Sequence, residues 1–249
     1  MLRSLLIAFF IAFFACCTSP QAAQRIEGST YKLSDSLTAS TDPEIAAFIA
    51  PYKEEINSEL DKVIAVSSIP MGKNQPEGLL GNFVADLTLY ITNNNTKNGK
   101  ADFCFLNNGG LRSTLPKGDI TIKRVYELMP FENELVILTL DGPTTLLLIE
   151  FIASKGGMPV SGIKMGINDH KPVNVLINDE PFDVSKNYNV VTSDYLANGG
   201  DNLTFLASSK DRNYIGIKVR DAIIKYMEEK HKQGNRLDAR LDSRIYHVQ

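Results

Sequence analysis

The sequence contains no tryptophan and only three histidines and three cysteines among 249 residues. The histidines, His170, His231 and His247, lie far apart, and no convergent spacing of carboxylates joins them, so the sequence predicts no metal site. A net charge of −3 without a basic tract argues against nucleic-acid binding. The chain also lacks a Gly-x-Ser-x-Gly nucleophile elbow and a Walker loop, which excludes the hydrolytic sites that depend on those motifs.

The first 22 residues differ in composition from the rest of the chain. Arg3 precedes an apolar run at residues 5–15, which is typical of a secretory signal and is shorter than the roughly 20 residues of a membrane-spanning helix. Cys16 follows Ala15 directly, as in the lipobox of bacterial lipoproteins, and this predicts lipidation of Cys16. Phe13 is bulkier than a lipobox usually allows, so cleavage near Ala23 is the alternative.

These features predict the organisation of the chain and its location. We expect a signal peptide at residues 1–22, a tether or edge segment at 23–41, with a possible strand at 29–33, and one domain at 42–249. The protein is expected to be exported to the bacterial periplasm or outer membrane, anchored by lipid. Removal of the signal leaves Cys104 as the only cysteine that could contribute to the fold, so no internal disulfide is expected. Its apolar surroundings predict a buried core residue and not a catalytic thiol.

Apolar periodicity predicts a mixture of helices and strands. Helices are expected from Asp42 to about residue 60, at 79–93, 123–128 and 141–155, and near the C-terminus through Ile215, Val219 and Met227. Strands are expected at residues 63–67, 101–106, 120–122, 134–140, 163–167, 173–177, 188–192 and in the tail after Asp242. Hairpin-like strand pairs interrupt any regular alternation, so the fold class is α+β, with a mixed sheet and packed helices.

Two of these helices carry further expectations. The first has a one-sided apolar stripe and a charged opposite face, which predicts a position on the outside of the domain. The helix at residues 141–155 is apolar nearly all the way round at 146–152, which predicts that it is sandwiched in the interior.

Two glycine-rich corners carry the polar residues that are candidates for binding. The first, at residues 105–112, follows a predicted buried strand and contains Asn107, Gly110 and Arg112. Its glycines allow positive φ angles or a close approach to a bound group, and a guanidinium holds phosphate or carboxylate in forked hydrogen bonds. An ordinary strand–turn corner with a surface arginine is the alternative interpretation. The second corner, at residues 195–201, ends in Gly200 and Asp201.

Several short segments together resemble one known family, and they occur in its order along residues 42–245. They are Leu80-Gly81-Asn82-Phe83 with Asp86, Asn107-Asn108-Gly109-Gly110-Leu111-Arg112, Pro130-Phe131, the strand–helix pair at 139–149, Val160-Ser161-Gly162, Tyr195-Leu196-Ala197-Asn198-Gly199-Gly200-Asp201 and Asp242-Ser243-Arg244-Ile245. This set is similar to the C-terminal, substrate-recognising domain of 5′-nucleotidases and UDP-sugar hydrolases, here without the rest of the protein.

The resemblance implies a role for each candidate. A base would stack between Phe131 and Tyr195, the latter standing where the family often has phenylalanine. Asp201 would accept hydrogen bonds from the ribose, while Asn107 and Arg112 would hold the sugar–phosphate end. Gly110 and Gly200 would shape the two corners. Taken singly, each of these residues also fits a structural role in a core, a turn or a solvated surface.

The sequence departs from the family pattern in two ways. A further arginine of the family, which contacts phosphate, corresponds here to Leu79, and this leaves phosphate and base preference open. The two-metal catalytic domain of the family is also missing, since neither an Asp-x-His nor a Gly-Asn-His-Glu motif occurs.

These departures lead to three hypotheses about function. In the first, the chain is the nucleotide-binding component of a split 5′-nucleotidase acting in nucleotide catabolism. A separate metallophosphoesterase chain would then carry the divalent metals, and this chain, with no cofactor of its own, would not be active alone. In the second, it is a non-catalytic envelope lipoprotein that binds nucleosides or nucleotides. In the third, it is a relic without a working site.

Overall fold

The computed structural model describes residues 28–30, 42–95, 99–209 and 211–248. The chain divides into two compact units, residues 1–49 and 50–249. Of the first unit, the structure describes residues 28–30 and 42–49, which include the beginning of helix α1. The predicted signal peptide, Cys16 and most of the predicted tether at 23–41 lie outside the described residues.

The first four helices begin and end close to the predicted positions, the last begins later than predicted, and the three short helical segments at residues 194–207 were not predicted. The helices are α1 (Pro43–Leu60), α2 (Leu79–Asn94), α3 (Ile122–Leu128), α4 (Gly142–Ser154), α5 (Asp194–Ala197), a 3-10 turn (Gly200–Asn202), α6 (Thr204–Ala207) and α7 (Val219–Lys232). Side-chain caps fix several starts, because Thr121, Asp141 and Ser193 each accept a hydrogen bond from a free backbone amide of the first turn.

The strands form three sheets where the sequence predicted one. They are β1 (Val63–Ser67), β2 (Phe103–Phe105), β3 (Gly118–Thr121), β4 (Glu134–Leu140), β5 (Val160–Ser161), β6 (Ile163–Asn168), β7 (Lys171–Ile177), β8 (Glu180–Pro181), β9 (Tyr188–Ser193), β10 (Arg212–Lys218) and β11 (Ile245–His247). The orders are β1-β3, β10-β4-β9-β2-β5 and β11-β6-β7-β8. Parallel pairing of β2 with β9 and of β11 with β6 makes the two larger sheets mixed, which confirms the predicted α+β class.

The inner strands of the five-stranded sheet, β4, β9 and β2, are buried on both faces. Along β4, Leu135 and Ile137 belong to one apolar cluster, while Val136 and Leu138 belong to the other. Successive strand side chains point to opposite faces, so the alternation places one cluster on each side. Helices α2 and α7 contribute to the first cluster, and α4 with the four-stranded sheet contributes to the second. The sheet therefore holds its strand ends rigidly in place.

Two predictions about secondary structure and packing are wrong. Ile215 lies in β10, not in the last helix, which begins at Val219. Helix α4 is not sandwiched, because its buried residues lie on one side and Leu147 is 48% exposed. None of the residues of α1 is buried, and its apolar stripe is exposed at Ile45, Tyr52 and Ile56.

A buried arginine ties the C-terminal segment to the domain. Arg244 donates to Asp86 at 2.6 Å, to Asp242 at 2.8 Å and to the carbonyl of Val160 at 2.9 Å. Two of the segments that resemble the family, one in α2 and one before β11, therefore meet in a single ion-pair cluster. The cluster joins the C-terminal segment to α2 and β5.

Candidate functional site

Strand order brings the two glycine corners together. Strands β2 and β9 are parallel neighbours, so the segments that follow them, at Asn107 and at Tyr195, emerge at the same edge of the sheet. Strand β4 is antiparallel to β9, with Leu135 opposite Ser193, and its beginning therefore lies at that edge too. The loop before β4 carries Phe131. Three segments that are distant in sequence thus meet at one edge.

These segments enclose an open cleft of about 320 Å³. It is lined by Leu106, Asn107, Gly109, Gly110, Leu111, Arg112, Met129, Phe131, Asn133, Ser193, Tyr195, Asp201 and Val219. Of the seven predicted substrate-binding residues, the structure places all but Gly200 in this lining. Both aromatic rings reach solvent, Phe131 being 42% and Tyr195 46% exposed. Exposed rings at the mouth of an apolar cleft leave a flat surface on which a planar ligand can stack.

Gly200 does not line the cleft but lies against the ring of Tyr195. A Cβ atom added at Gly200 would lie 2.5 Å from Cε1 of Tyr195, closer than any side chain tolerates. The following residue, Asp201, has a positive φ of 54°, a left-handed conformation that aspartate adopts more readily than most residues. The tight corner thus brings the carboxylate of Asp201 back towards Tyr195.

A polar network joins the two corners through Asp201. The side-chain amide of Asn107 donates to Oδ2 of Asp201 at 2.7 Å, and the hydroxyl of Tyr195 donates to Oδ1 at 2.9 Å. The hydroxyl in turn accepts from the backbone amide of Asp201 at 3.3 Å. The candidate sugar-binding carboxylate is therefore already held by two donors from two different segments.

Gly109 and Gly110 do not have the positive φ angles that the sequence allowed for them. A Cβ atom at Gly110 would instead lie 2.8 Å from Oδ1 of Asn107. The absence of a side chain at Gly110 thus makes room for the amide that holds Asp201.

Arg112 supplies the positive charge of the cleft. Its backbone amide donates to the carbonyl of Leu128 at 2.8 Å, and its guanidinium makes a long contact of 3.4 Å with the carbonyl of Gly109. None of the ion pairs within the described part of the chain involves Arg112. The exposed guanidinium therefore keeps most of its donors for a ligand or for water.

Leu79 and Lys73 affect how much positive charge is available to bind a phosphate. Leu79 is half-buried against the core and does not line the cleft. Lys73, which the sequence analysis missed, donates from Nζ to the carbonyl of Leu111 at 2.8 Å. A second cation therefore lies beside the first glycine corner, in a polar loop where no spacing rule pointed to it.

The loop that carries Phe131 is anchored from the side of β10 and α7. Glu132 forms ion pairs with Lys218 and Arg220, and these hydrogen bonds lower the pKa of Glu132 to about 2. Arg220 also lies over the ring of Tyr126, 4.3 Å from its centroid. The backbone amide of Val219 donates to the carbonyl of Asn133 in the same loop at 2.9 Å. The ring-bearing loop is thus fixed on one side.

The same loop is bonded directly to the segment that carries the second ring. Nδ2 of Asn133 donates to Oδ1 of Asp194 at 2.8 Å, and that oxygen also accepts from the backbone amide of Tyr195 at 2.7 Å. Sequence reasoning missed both Asn133 and Asp194. The one available signal was their position, since each lies within two residues of a predicted stacking ring.

The described residues contain no group of three or more histidine, cysteine, aspartate or glutamate side chains that could hold a metal ion. Within the same residues no helix has the length and apolar character needed to cross a membrane. Cys104 is fully buried, and burial raises the pKa of its thiol well above the ordinary value, as expected for a core residue.

Comparison with known proteins identifies what the chain resembles. Residues 62–208 match the family model described as 5′-nucleotidase, C-terminal domain. A 5′-nucleotidase from Vibrio parahaemolyticus is 28% identical over 185 residues, which are 71% of this chain and 32% of that protein. The crystal structure of a 5′-nucleotidase precursor from Thermus thermophilus superposes with a TM-score of 0.71 at 28% identity, over 80% of this chain and 42% of that one.

A more distant structure shares the fold alone. The NAD nucleotidase of Haemophilus influenzae superposes with a TM-score of 0.61 at 21% identity, over 84% of this chain and 42% of that one. The chain thus spans about a third of the length of the curated relatives it matches and less than half of these solved structures.

Proposed function

Because the chain belongs to the family of 5′-nucleotidase C-terminal domains, we propose that it is the nucleotide-binding component of a split 5′-nucleotidase acting in nucleotide catabolism. The observation that carries the proposal is the meeting of two exposed rings, a bonded carboxylate and a guanidinium at one edge of the sheet. These four groups are complementary to a base, a ribose and a phosphate.

Each part of a nucleotide has a partner in the proposed site. The base stacks between Phe131 and Tyr195, where stacking on an aromatic ring contributes roughly 1–3 kcal/mol per base in single-strand binders. The ribose hydroxyls donate to Asp201. The phosphate pairs with Arg112, the one cation that lines the cleft in the described part of the chain. Lys73 is near enough to the same corner to add a second positive charge.

We assign the chemical step to a metallophosphoesterase on a separate chain. The family resemblance implies this type of catalytic domain, and its location on a second chain is part of the proposal. Divalent metals on that chain would activate water and stabilise the phosphoryl oxygens. Arg112 would face the metals and help to neutralise the phosphate. Lipidation at Cys16 would keep this chain at the envelope.

The test is to reconstitute AMP hydrolysis from two purified chains. A neighbouring gene that encodes a metallophosphoesterase is sought first, and its product is purified. AMP hydrolysis is then measured for each chain alone and for the mixture. The mixture should be faster than the metal-binding chain alone, and Arg112→Ala should abolish that stimulation while adenosine binding persists. Arg124→Ala is the matched control, because Arg124 lies exposed on α3 and pairs only with Glu127 among the described residues. A mixture no faster than the metal-binding chain would refute the proposal.

A second candidate function is a non-catalytic binding lipoprotein that captures nucleosides. The predominantly apolar lining with a single cation favours it. Calorimetry with adenosine and with AMP separates the two functions. A nucleoside-binding protein should hold adenosine at least as tightly as AMP, whereas a nucleotidase component should hold AMP more tightly through Arg112.

A further inference from the structure

The hydroxyl of Tyr195 connects two parts of the candidate site. One is the ring on which a base would stack, and the other is the carboxylate of Asp201. The hydroxyl donates to Oδ1 of Asp201 at 2.9 Å and accepts from its backbone amide at 3.3 Å. A phenylalanine at position 195 would provide the ring without either bond.

The two hydrogen bonds to the carboxylate leave a defined set of acceptor sites. An ionised carboxylate offers about four lone-pair sites, two on each oxygen. Tyr195 occupies one site on Oδ1, and Asn107 occupies one on Oδ2 at 2.7 Å. One site therefore remains on each oxygen, and the two donors prevent the carboxylate from rotating. Two neighbouring acceptors at fixed positions are complementary to two neighbouring hydroxyl groups.

The same bond also fixes the ring. The backbone amide of Tyr195 is held by Asp194 at 2.7 Å, and its hydroxyl is held at the far end of the side chain by Asp201. Gly200 allows the ring to lie against the backbone of the corner, where a Cβ atom would collide with it. Ring and carboxylate therefore form one unit with its geometry set before a ligand arrives, which lowers the entropic cost of binding.

We propose that Tyr195 is a specificity-determining residue, whose hydroxyl orients Asp201 to accept a vicinal diol and so selects ribonucleosides and ribonucleotides over their deoxy counterparts. This inference rests on the proposed function, because it requires that a nucleoside occupies the cleft. It goes beyond that function by assigning sugar selection to the hydroxyl of Tyr195, a side chain whose ring would stack on the base.

The experiment compares two ligands that differ only in the diol. Binding of adenosine and of 2′,3′-dideoxyadenosine to the full chain is measured by calorimetry for the wild type and for Tyr195→Phe. The wild type should prefer adenosine by about tenfold or more, as expected for hydrogen bonds to a charged group. Tyr195→Phe should weaken adenosine by about fivefold to tenfold and change dideoxyadenosine by less than about twofold.

Controls separate a specific effect from a structural one. Tyr90→Phe removes a hydroxyl from an exposed tyrosine of α2 and should change neither affinity. Asp201→Ala should abolish the preference for adenosine, and adding Tyr195→Phe to it should then have no further effect on the ratio of the two affinities. Thermal unfolding of each variant checks that it remains folded.

Two results would overturn the inference while leaving the proposed function intact. One is an unchanged preference in Tyr195→Phe, whether neither affinity changes or both fall by the same factor. The other is tighter adenosine binding, which would mean that the hydroxyl competes with the sugar. If the wild type binds neither ligand, the proposed function itself fails together with the inference. The two kinds of failure are therefore distinguishable from the wild-type titration alone.

Discussion

The hydrogen bond between Asn133 and Asp194 connects the two ring-bearing segments, and its removal should weaken stacking of a base. The bond spans 2.8 Å and joins the loop of Phe131 to the segment of Tyr195. Asn133→Ala removes the donor but leaves Asp194 bonded to the backbone amide of Tyr195. The backbone of Tyr195 then keeps its hydrogen bond to Asp194, while the bond between this segment and the loop of Phe131 is lost.

The expected magnitude follows from the type of bond and its exposure. Hydrogen bonds to charged groups contribute about 1.5–3 kcal/mol, and partial exposure of this pair reduces the value to about 1 kcal/mol. Because the bond already exists in the free protein, its loss acts by releasing the loop of Phe131. Re-ordering that loop around a base then costs at most about the same 1 kcal/mol, which lowers the affinity by up to about fivefold. The assay is calorimetric titration with adenosine, which depends on stacking and does not require Arg112.

Asn187→Ala is the matched control, since Asn187 lies in the turn before β9, away from the cleft. It should leave the affinity unchanged. The reasoning would be refuted if Asn133→Ala bound adenosine as tightly as the wild type. It would also be refuted if the control weakened binding by the same factor.

Three further predictions concern the core and the anchored loop. Cys104 should resist alkylation at pH 8 in the folded protein and react on unfolding, as burial raises its pKa; rapid labelling of the native chain would contradict this. Arg244→Ala should lower the free energy of unfolding in urea by about 2 kcal/mol, because it removes the hydrogen bonds to the partly exposed Asp86 and Asp242 and takes a donor from the buried carbonyl of Val160, whereas exposed Arg240→Ala should cost little; equal losses would contradict this reasoning. Glu132 has a pKa lowered from 4.5 to about 2, so its stabilising contribution is complete above pH 4.5 and declines as the pH falls towards 2. The difference in unfolding free energy between wild type and Glu132→Gln should therefore be constant from pH 5 to 8 and shrink below pH 4.5, and a difference that changes near neutrality would contradict this.

Much of the secondary structure followed from local patterns. Strands β1 and β4 were predicted with their observed bounds, because each is a short apolar run between clear turns. Strand β10 was missed because Ile215 lies four residues before Val219, the spacing of a helix, while pairing with β4 decides its conformation. The environment of α4 was mispredicted because an apolar run does not show which side the rest of the chain covers.

The candidate site was predicted by resemblance and not by spacing. Nothing in the sequence alone relates Asn107 to Asp201, since the two meet only because β2 and β9 are parallel neighbours. For the same reason the supporting pair of Asn133 and Asp194 was missed. Such contacts depend on strand order, which the periodicity of a single strand does not determine. Lipidation of Cys16, export and the partner chain stay predictions.

The central claim is that a nucleotide base binds between Phe131 and Tyr195. Calorimetric titration of the full chain with AMP tests it most directly, with Phe131→Ala as the variant and Tyr90→Ala, on the exposed surface of α2, as the control. We predict saturable one-site binding that Phe131→Ala weakens by about tenfold or more and that the control leaves unchanged. Absence of saturable binding to the wild type, or equal affinity in Phe131→Ala, would contradict the account.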